Sequence, residues 1–240
     1  MFHKSFPALL GLMAVSAVLL ASDSWKLKPV REWSREETYE FLRNSPWVRR
    51  VSFGDLPVEP GPPDVGAQTD EDRGETSQAA VRARRSELDA GGVNMKGRTV
   101  YYVEWSSAKI VRQGRLHFGA LQGRVKEDGT EPPDLSSYFL SVSGSDLKAF
   151  DGATESQLKT AAYLRLKRSK TKIAPAEVKI RKTLEKGISS IQCAFPREVD
   201  GQPVISAEEK SVEFSIKGKN LTLKTSFDLT KMTTEKGRDL

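Results

Sequence analysis

The stretch SVEFSIKGKNLTLKTSF, residues 211–227, decides the fold class. Val212, Phe214 and Ile216 alternate with polar residues, Gly218-Lys219-Asn220 supplies a turn, and Leu221, Leu223 and Phe227 resume the apolar side. A period of two on both sides of a glycine-containing turn is the signature of a β-hairpin, here with one buried and one wet face.

Working backwards, Glu177 to Lys182, Ile188 to Phe195 and Ser137 to Ser143 read as further strands. Thr99 to Trp105 is another, rich in β-branched and aromatic residues, with Val100, Tyr102 and Glu104 alternating with Tyr101, Val103 and Trp105. After it, Ser106 or Ser107 is positioned to cap a helix that carries Ile110, Gly114, His117, Phe118 and Leu121 at helical spacing, with Arg112 and Arg115 opposite. Pro132-Pro133 marks a loop, and Asp146 to Phe150 and Thr154 to Ala162 are two further helical candidates. The expected architecture is α+β: an antiparallel sheet of five or six strands with one main helix packed across it, over residues 96–240. About 145 residues suffice to bury a single self-sufficient core.

Upstream of this domain the composition changes. Residues 23–53 predict a small helix-strand unit. Ser34 and Glu37 form a capping box, Tyr39 and Leu42 face inward, and Asn44-Ser45-Pro46 ends the helix. Trp47, Val51 and Phe53 then share one side of an edge strand, and Arg49 interrupts that side. Residues 54–95 read as a disordered Pro/Gly/acidic linker, because they hold too few large apolar side chains to offset the entropy of ordering.

Residues 1–22 have the layout of a secretory signal peptide. Lys4 precedes an apolar run from Ala8 to Leu20, and small residues follow before Asp23. As a helix that run covers about 20 Å, short of the ~30 Å hydrocarbon layer, so no stable transmembrane segment is expected after cleavage. The expected location is the periplasm or the extracellular space, with an uncleaved N-terminal anchor as the alternative. Cys193 is the only cysteine, which rules out an intrachain disulfide, and the alternation of Ile191, Cys193 and Phe195 puts its sulfur on an apolar strand face.

The net charge is +6, from 38 Lys and Arg against 32 Asp and Glu, and it is unevenly spread. Between Asp55 and Gly92 there are nine acids and four bases, whereas between Lys159 and Lys186 there are ten bases and two acids. Within the second stretch, Arg165, Lys167, Arg168, Lys170 and Lys172 form a candidate face for an anionic partner. The competing reading of that run is a solvated loop. Nucleic acid is not the expected partner, since export removes it and no aromatic residues interleave the run to stack bases.

Motifs for catalysis are sparse. Once the leader is removed His117 is the only histidine, so a multi-histidine zinc site is impossible, and its place on the apolar stripe suits a structural role. No Gly-x-Ser-x-Gly turn presents a nucleophile. A carboxylate-dependent hydrolase would centre on Glu104, the acid best placed for enclosure and a raised pKa, with Asp134 and Asp146 near strand ends. No motif calls for a cofactor or a metal. Trp25, Trp33, Trp47 and Trp105 are dispersed, which suits core packing better than a sugar platform.

Three segments carry a resemblance. They are residues 33–53 with Ser45-Pro46-Trp47, residues 101–113 with Glu104-Trp105-Ser106-Ser107-Ala108, and Phe195-Pro196-Arg197 followed by Asp200-Gly201-Gln202-Pro203-Val204-Ile205. Together they resemble those of uncharacterised exported proteins of soil bacteria, a family with no assigned activity. The resemblance implies export and a bacterial source, and it transfers no site residue. The expected function is a non-enzymatic exported module that binds an envelope protein or an anionic envelope component through its basic flank and wet sheet face. The alternatives are the Glu104 hydrolase and a structural envelope protein.

Overall fold

The computed structural model describes residues 25–26, 28–53, 99–183 and 187–240. The expected leader at 1–22 and the whole of the expected linker at 54–95 lie outside the described residues. Among those described, the helices are α1 (Arg35–Phe41), α2 (Lys109–Leu121) and α3 (Glu155–Ala161). The larger sheet has β1 (Val48–Phe53), β2 (Thr99–Trp105), β3 (Ser137–Gly144), β6 (Glu177–Thr183) and β7 (Gly187–Pro196), in the order β1-β2-β3-β7-β6. Every pairing in it is antiparallel, so the α+β reading with a large antiparallel sheet and a helix beside it holds.

Two short strands, β8 (Glu198–Val199) and β9 (Gln202–Pro203), pair with each other, and the hairpin that announces the fold is β10 (Ser211–Lys217) with β11 (Thr222–Asp228). It does not join the five-stranded sheet. It builds a second one with β4 (Ala162–Leu166) and β5 (Lys172–Ile173), in the order β11-β10-β4-β5. The reason lies in the inner faces. Val103, Trp105, Leu140, Val142, Ile191, Cys193 and Phe195 cover one side of the larger sheet, and Leu164, Val212, Phe214, Ile216, Leu223 and Phe227 cover one side of the smaller, all fully buried. Each face is apolar along every strand and needs the other to exclude water. Across the interface Trp105 meets Phe227 edge-on at 5.4 Å, and Phe195 meets Phe214 at 6.3 Å.

The two sides of this sandwich are closed differently. Where β1 and β11 adjoin, Arg49 donates from Nε to the Ser226 carbonyl at 2.9 Å and lays its guanidinium 5.4 Å from the centre of the Phe227 ring. This accounts for a basic residue on the apolar side of the edge strand. Opposite, α3 packs along β6, and a Glu155 carboxylate oxygen accepts from the Ile180 amide at 2.9 Å. An edge amide open to another chain is thereby occupied. Thr154 and Gln157 start α3 with a reciprocal capping box. At the hairpin turn, a Cβ on Gly218 would lie 2.4 Å from the Ala149 carbonyl oxygen, so only glycine lets the turn seat there.

α1 begins with the expected Ser34–Glu37 box, but Thr38 and Phe41 are its buried residues, while Tyr39 and Leu42 are half-buried. Phe41 joins Trp25, Trp33 and Trp47 in an aromatic cluster. All four tryptophans of the chain are buried.

The start of α2 departs from expectation. Its N-cap is Ala108, which has no side-chain acceptor. The cap comes instead from Asp239, whose two carboxylate oxygens accept from the Lys109 and Ile110 amides at 2.8 Å each. Trp47 donates its indole N–H to the Asp239 carbonyl at 2.6 Å, and Arg197 donates to the Leu240 carbonyl. Residues 239 and 240 thus fasten the helix, the first strand and the β7 exit to one another.

Candidate functional site

The basic run is a strand and a turn, where the competing reading was a solvated loop. Ala162, Leu164 and Leu166 point inward and are buried, which leaves Tyr163 and Arg165 on the outer face of β4. The register carries this face across the sheet. Arg165 sits opposite Glu213 and Tyr163 opposite Ser215, while Ser226 and Lys224 sit opposite Glu213 and Ser215 on the far strand. On the near side, Lys172 of β5 pairs with Arg165. Lys217 lies two residues beyond Ser215 on the same side of β10, and Lys167 follows Arg165 by two. The outer face therefore holds Arg165, Lys167, Lys172, Lys217 and Lys224, against Glu213 near its centre and Asp228 at one corner.

Glu213 organises this charge. Its side chain is 6 % exposed, with Oε2 3.1 Å from Lys167 Nζ and Oε1 3.2 Å from Lys224 Nζ. Burial pushes its carboxyl up, but the two ammonium groups outweigh that and hold it below the usual glutamate value. The carboxylate draws in the lysines from opposite corners and leaves Arg165 aside, although Arg165 is its direct cross-strand neighbour. Among the described residues the Arg165 guanidinium has no ion-pair partner. Lys172 rests its ammonium 4.6 Å over the Tyr163 ring.

Of the five residues expected to bind an anion, Arg165, Lys167 and Lys172 share this face. Arg168 and Lys170 lie in the turn between β4 and β5, Lys170 with φ 62°. The Arg168 amide donates to Glu209 at 3.0 Å, and its guanidinium stands 3.7 Å from Glu208. Lys217, Lys224, Glu213 and Tyr163 complete the face and were not singled out from sequence. The alternation of β10 and β11 placed the first three of them on the wet side of the hairpin, but nothing in the sequence said that β4 would pair there.

Glu104 is enclosed, at 8 % exposure, and burial raises its pKa even though Arg115 Nη2 lies 2.7 Å from Oε1. The group it meets is a guanidinium rather than a second carboxylate. Asp134 is occupied with Lys109 at 3.0 Å and Asp146 with Lys148 at 3.2 Å. Arg115, expected on the far side of α2, thus turns toward the sheet. An open cleft runs between α2, residues 25–26 and 28–31, the 126–134 loop and residues 233–239, and Glu104 does not line it. Its walls are cross-linked by their own pairs, Lys236 to Glu131 at 2.7 Å and Arg112 to the Pro133 carbonyl at 2.6 Å.

His117 is buried, with Nδ1 2.9 Å from Glu127 Oε2 and Nε2 2.9 Å from the Trp33 carbonyl. Burial pulls the imidazole pKa down, but the bonds to Glu127 and Trp33 outweigh it and hold the ring above the usual histidine value. Cys193 is fully buried, and desolvation pushes its thiol up to about 12. Among the described residues no group of three potential metal ligands occurs, and no helix is long and apolar enough to cross a membrane. No protein family, no curated protein and no solved structure matches this chain.

Proposed function

We propose that this chain is an exported, non-enzymatic binding module that attaches to an anionic component of the cell envelope through the outer face of its four-stranded sheet. The observation that carries this reading is the gathering of Arg165, Lys167, Lys172, Lys217 and Lys224 on one sheet face, with Glu213 the buried carboxylate among them. A sheet face presents charge over an area rather than at a point. Each base near an anionic surface contributes about 1 kcal/mol, so five acting together give weak, salt-sensitive attachment. Glu104, held by Arg115 and away from the open cleft, offers a hydrolase no second carboxylate, and the same geometry favours binding over catalysis.

Export through the leader at 1–22, a periplasmic or extracellular location, and kinship with uncharacterised exported proteins of soil bacteria belong to this proposal. The short apolar run from Ala8 to Leu20 behind Lys4 supports it. The test is capture of partners from an envelope extract at low and high salt, repeated with Arg165, Lys167, Arg168, Lys170 and Lys172 changed to Gln. The proposal expects a partner that is released by salt and absent from the variant's eluate. Equal capture by both proteins at both salt concentrations contradicts it.

A further inference from the structure

Resting on that reading, we infer that Arg165 and Lys172, cross-strand neighbours on β4 and β5, form a seat for a single phosphate group within the broader basic face. Glu213 divides the cations of the face into two kinds. Lys167 and Lys224 are engaged by its carboxylate at 3.1 and 3.2 Å, whereas Arg165, its cross-strand neighbour, has no ion-pair partner among the described residues. Lys172 is paired in register with Arg165, so their Cα atoms are about 5 Å apart and both side chains leave the same side of the sheet. The Tyr163 ring, two residues before Arg165, lies 4.6 Å beneath the Lys172 ammonium and fixes where that charge stands.

The number of donors selects the ligand class. The arginine fork addresses two oxygens of one anion, and the ammonium is a compact third donor from the adjacent strand. A carboxylate has two oxygens and is satisfied by the arginine alone. A phosphate has enough to use both residues. The seat lies on an open sheet face, so it accepts the phosphate of a lipid headgroup as readily as inorganic phosphate.

The test separates this seat from diffuse attraction. Arg165→Lys keeps the charge and removes the fork. It is compared with Arg165→Gln, with Lys217→Gln as a single charge loss elsewhere on the face, and with the wild type. Each protein is titrated with inorganic phosphate and, at matched ionic strength, with acetate, following the Arg165 Nε–H and Tyr163 ring signals by NMR. In a second arm each is titrated with neutral phospholipid vesicles containing phosphatidic acid. The seat predicts that phosphate shifts those signals in the wild type and acetate does not, and that R165K loses about tenfold in phosphate affinity, close to R165Q. Loss in the vesicle arm as well identifies the headgroup as a source; loss with inorganic phosphate alone restricts the seat to the free ion. If R165K matches the wild type in both arms, there is no seat. If vesicle binding then still falls with K217Q and with salt, the basic-face reading survives without it, and if it does not, both fail.

Discussion

The imidazole of His117 and the carboxylate of Glu127 meet at 2.9 Å on the buried side of α2, while the other ring nitrogen faces the Trp33 carbonyl at the same distance. A carbonyl only accepts, and an ionised carboxylate only accepts, so the ring satisfies both as an imidazolium. One proton thus ties the helix to the N-terminal segment and to the loop after it. Because the folded pKa is raised, this contribution is complete below the unfolded value near 6.5 and is lost as pH rises through the folded one. Urea unfolding from pH 5.5 to 9 should show the wild type losing stability relative to His117→Gln, which itself costs about 1.5–3 kcal/mol at the acid end. Parallel pH profiles for the two proteins would remove the imidazolium from the account.

Asp239 should matter to folding far more than its half-exposed position suggests. Asp239→Ala strips the cap from the α2 amides of Lys109 and Ile110, and should cost about 0.5–2 kcal/mol in chemical denaturation. A variant as stable as the wild type would mean that the α2 amides find another acceptor.

Cys193 should be inert in the native state. With its thiol pushed up to about 12 and no exposed surface, it should react with a disulfide reagent at pH 8 only at the rate of global unfolding. Stoichiometric labelling within seconds in the absence of denaturant would contradict its burial.

Glu213→Gln should weaken the fold and strengthen binding together. The lowered pKa means the carboxylate stabilises the fold above its unfolded value of about 4.5, and that contribution is lost as pH falls through the folded value. Replacing it frees Lys167 and Lys224 and adds one net positive charge to the face, worth about fivefold in affinity for an anionic surface. The paired readouts are a thermal melt at neutral pH and vesicle co-sedimentation at fixed salt. Unchanged or weaker binding would show that the face is not what meets the anion.

What was legible in the sequence followed from local periodicity. The β10–β11 hairpin, the Ser34–Glu37 box and the buried Cys193 all rest on patterns a few residues long. β4 carries such a pattern too, in Ala162, Leu164 and Leu166, but it is only five residues long and runs straight into a cluster of bases that suits a solvated loop equally well. The Asp239 cap could not be read, because a carboxylate 130 residues from the amides it serves leaves no local trace. The orientation of α2 departs from its apolar stripe for a related reason. Leu121 is 43 % exposed and Arg115 reaches Glu104, so the helix presents Val111 inward where a simple apolar stripe would present its last turn. The gathering of the basic run with Lys217 and Lys224 likewise depended on a pairing between β4 and β10 that joins residues 165 and 213, which lie far apart in the chain.

The central claim is that one sheet face carries the attachment. Its most direct measurement is the affinity of the protein for anionic phospholipid vesicles as a function of salt, for the wild type and for a variant with Arg165, Lys172 and Lys217 changed to Gln. The account predicts that wild-type affinity falls steeply between low and physiological salt, and that the variant binds at least tenfold more weakly with a shallower dependence. Identical affinities and identical salt dependence for the two proteins would contradict it.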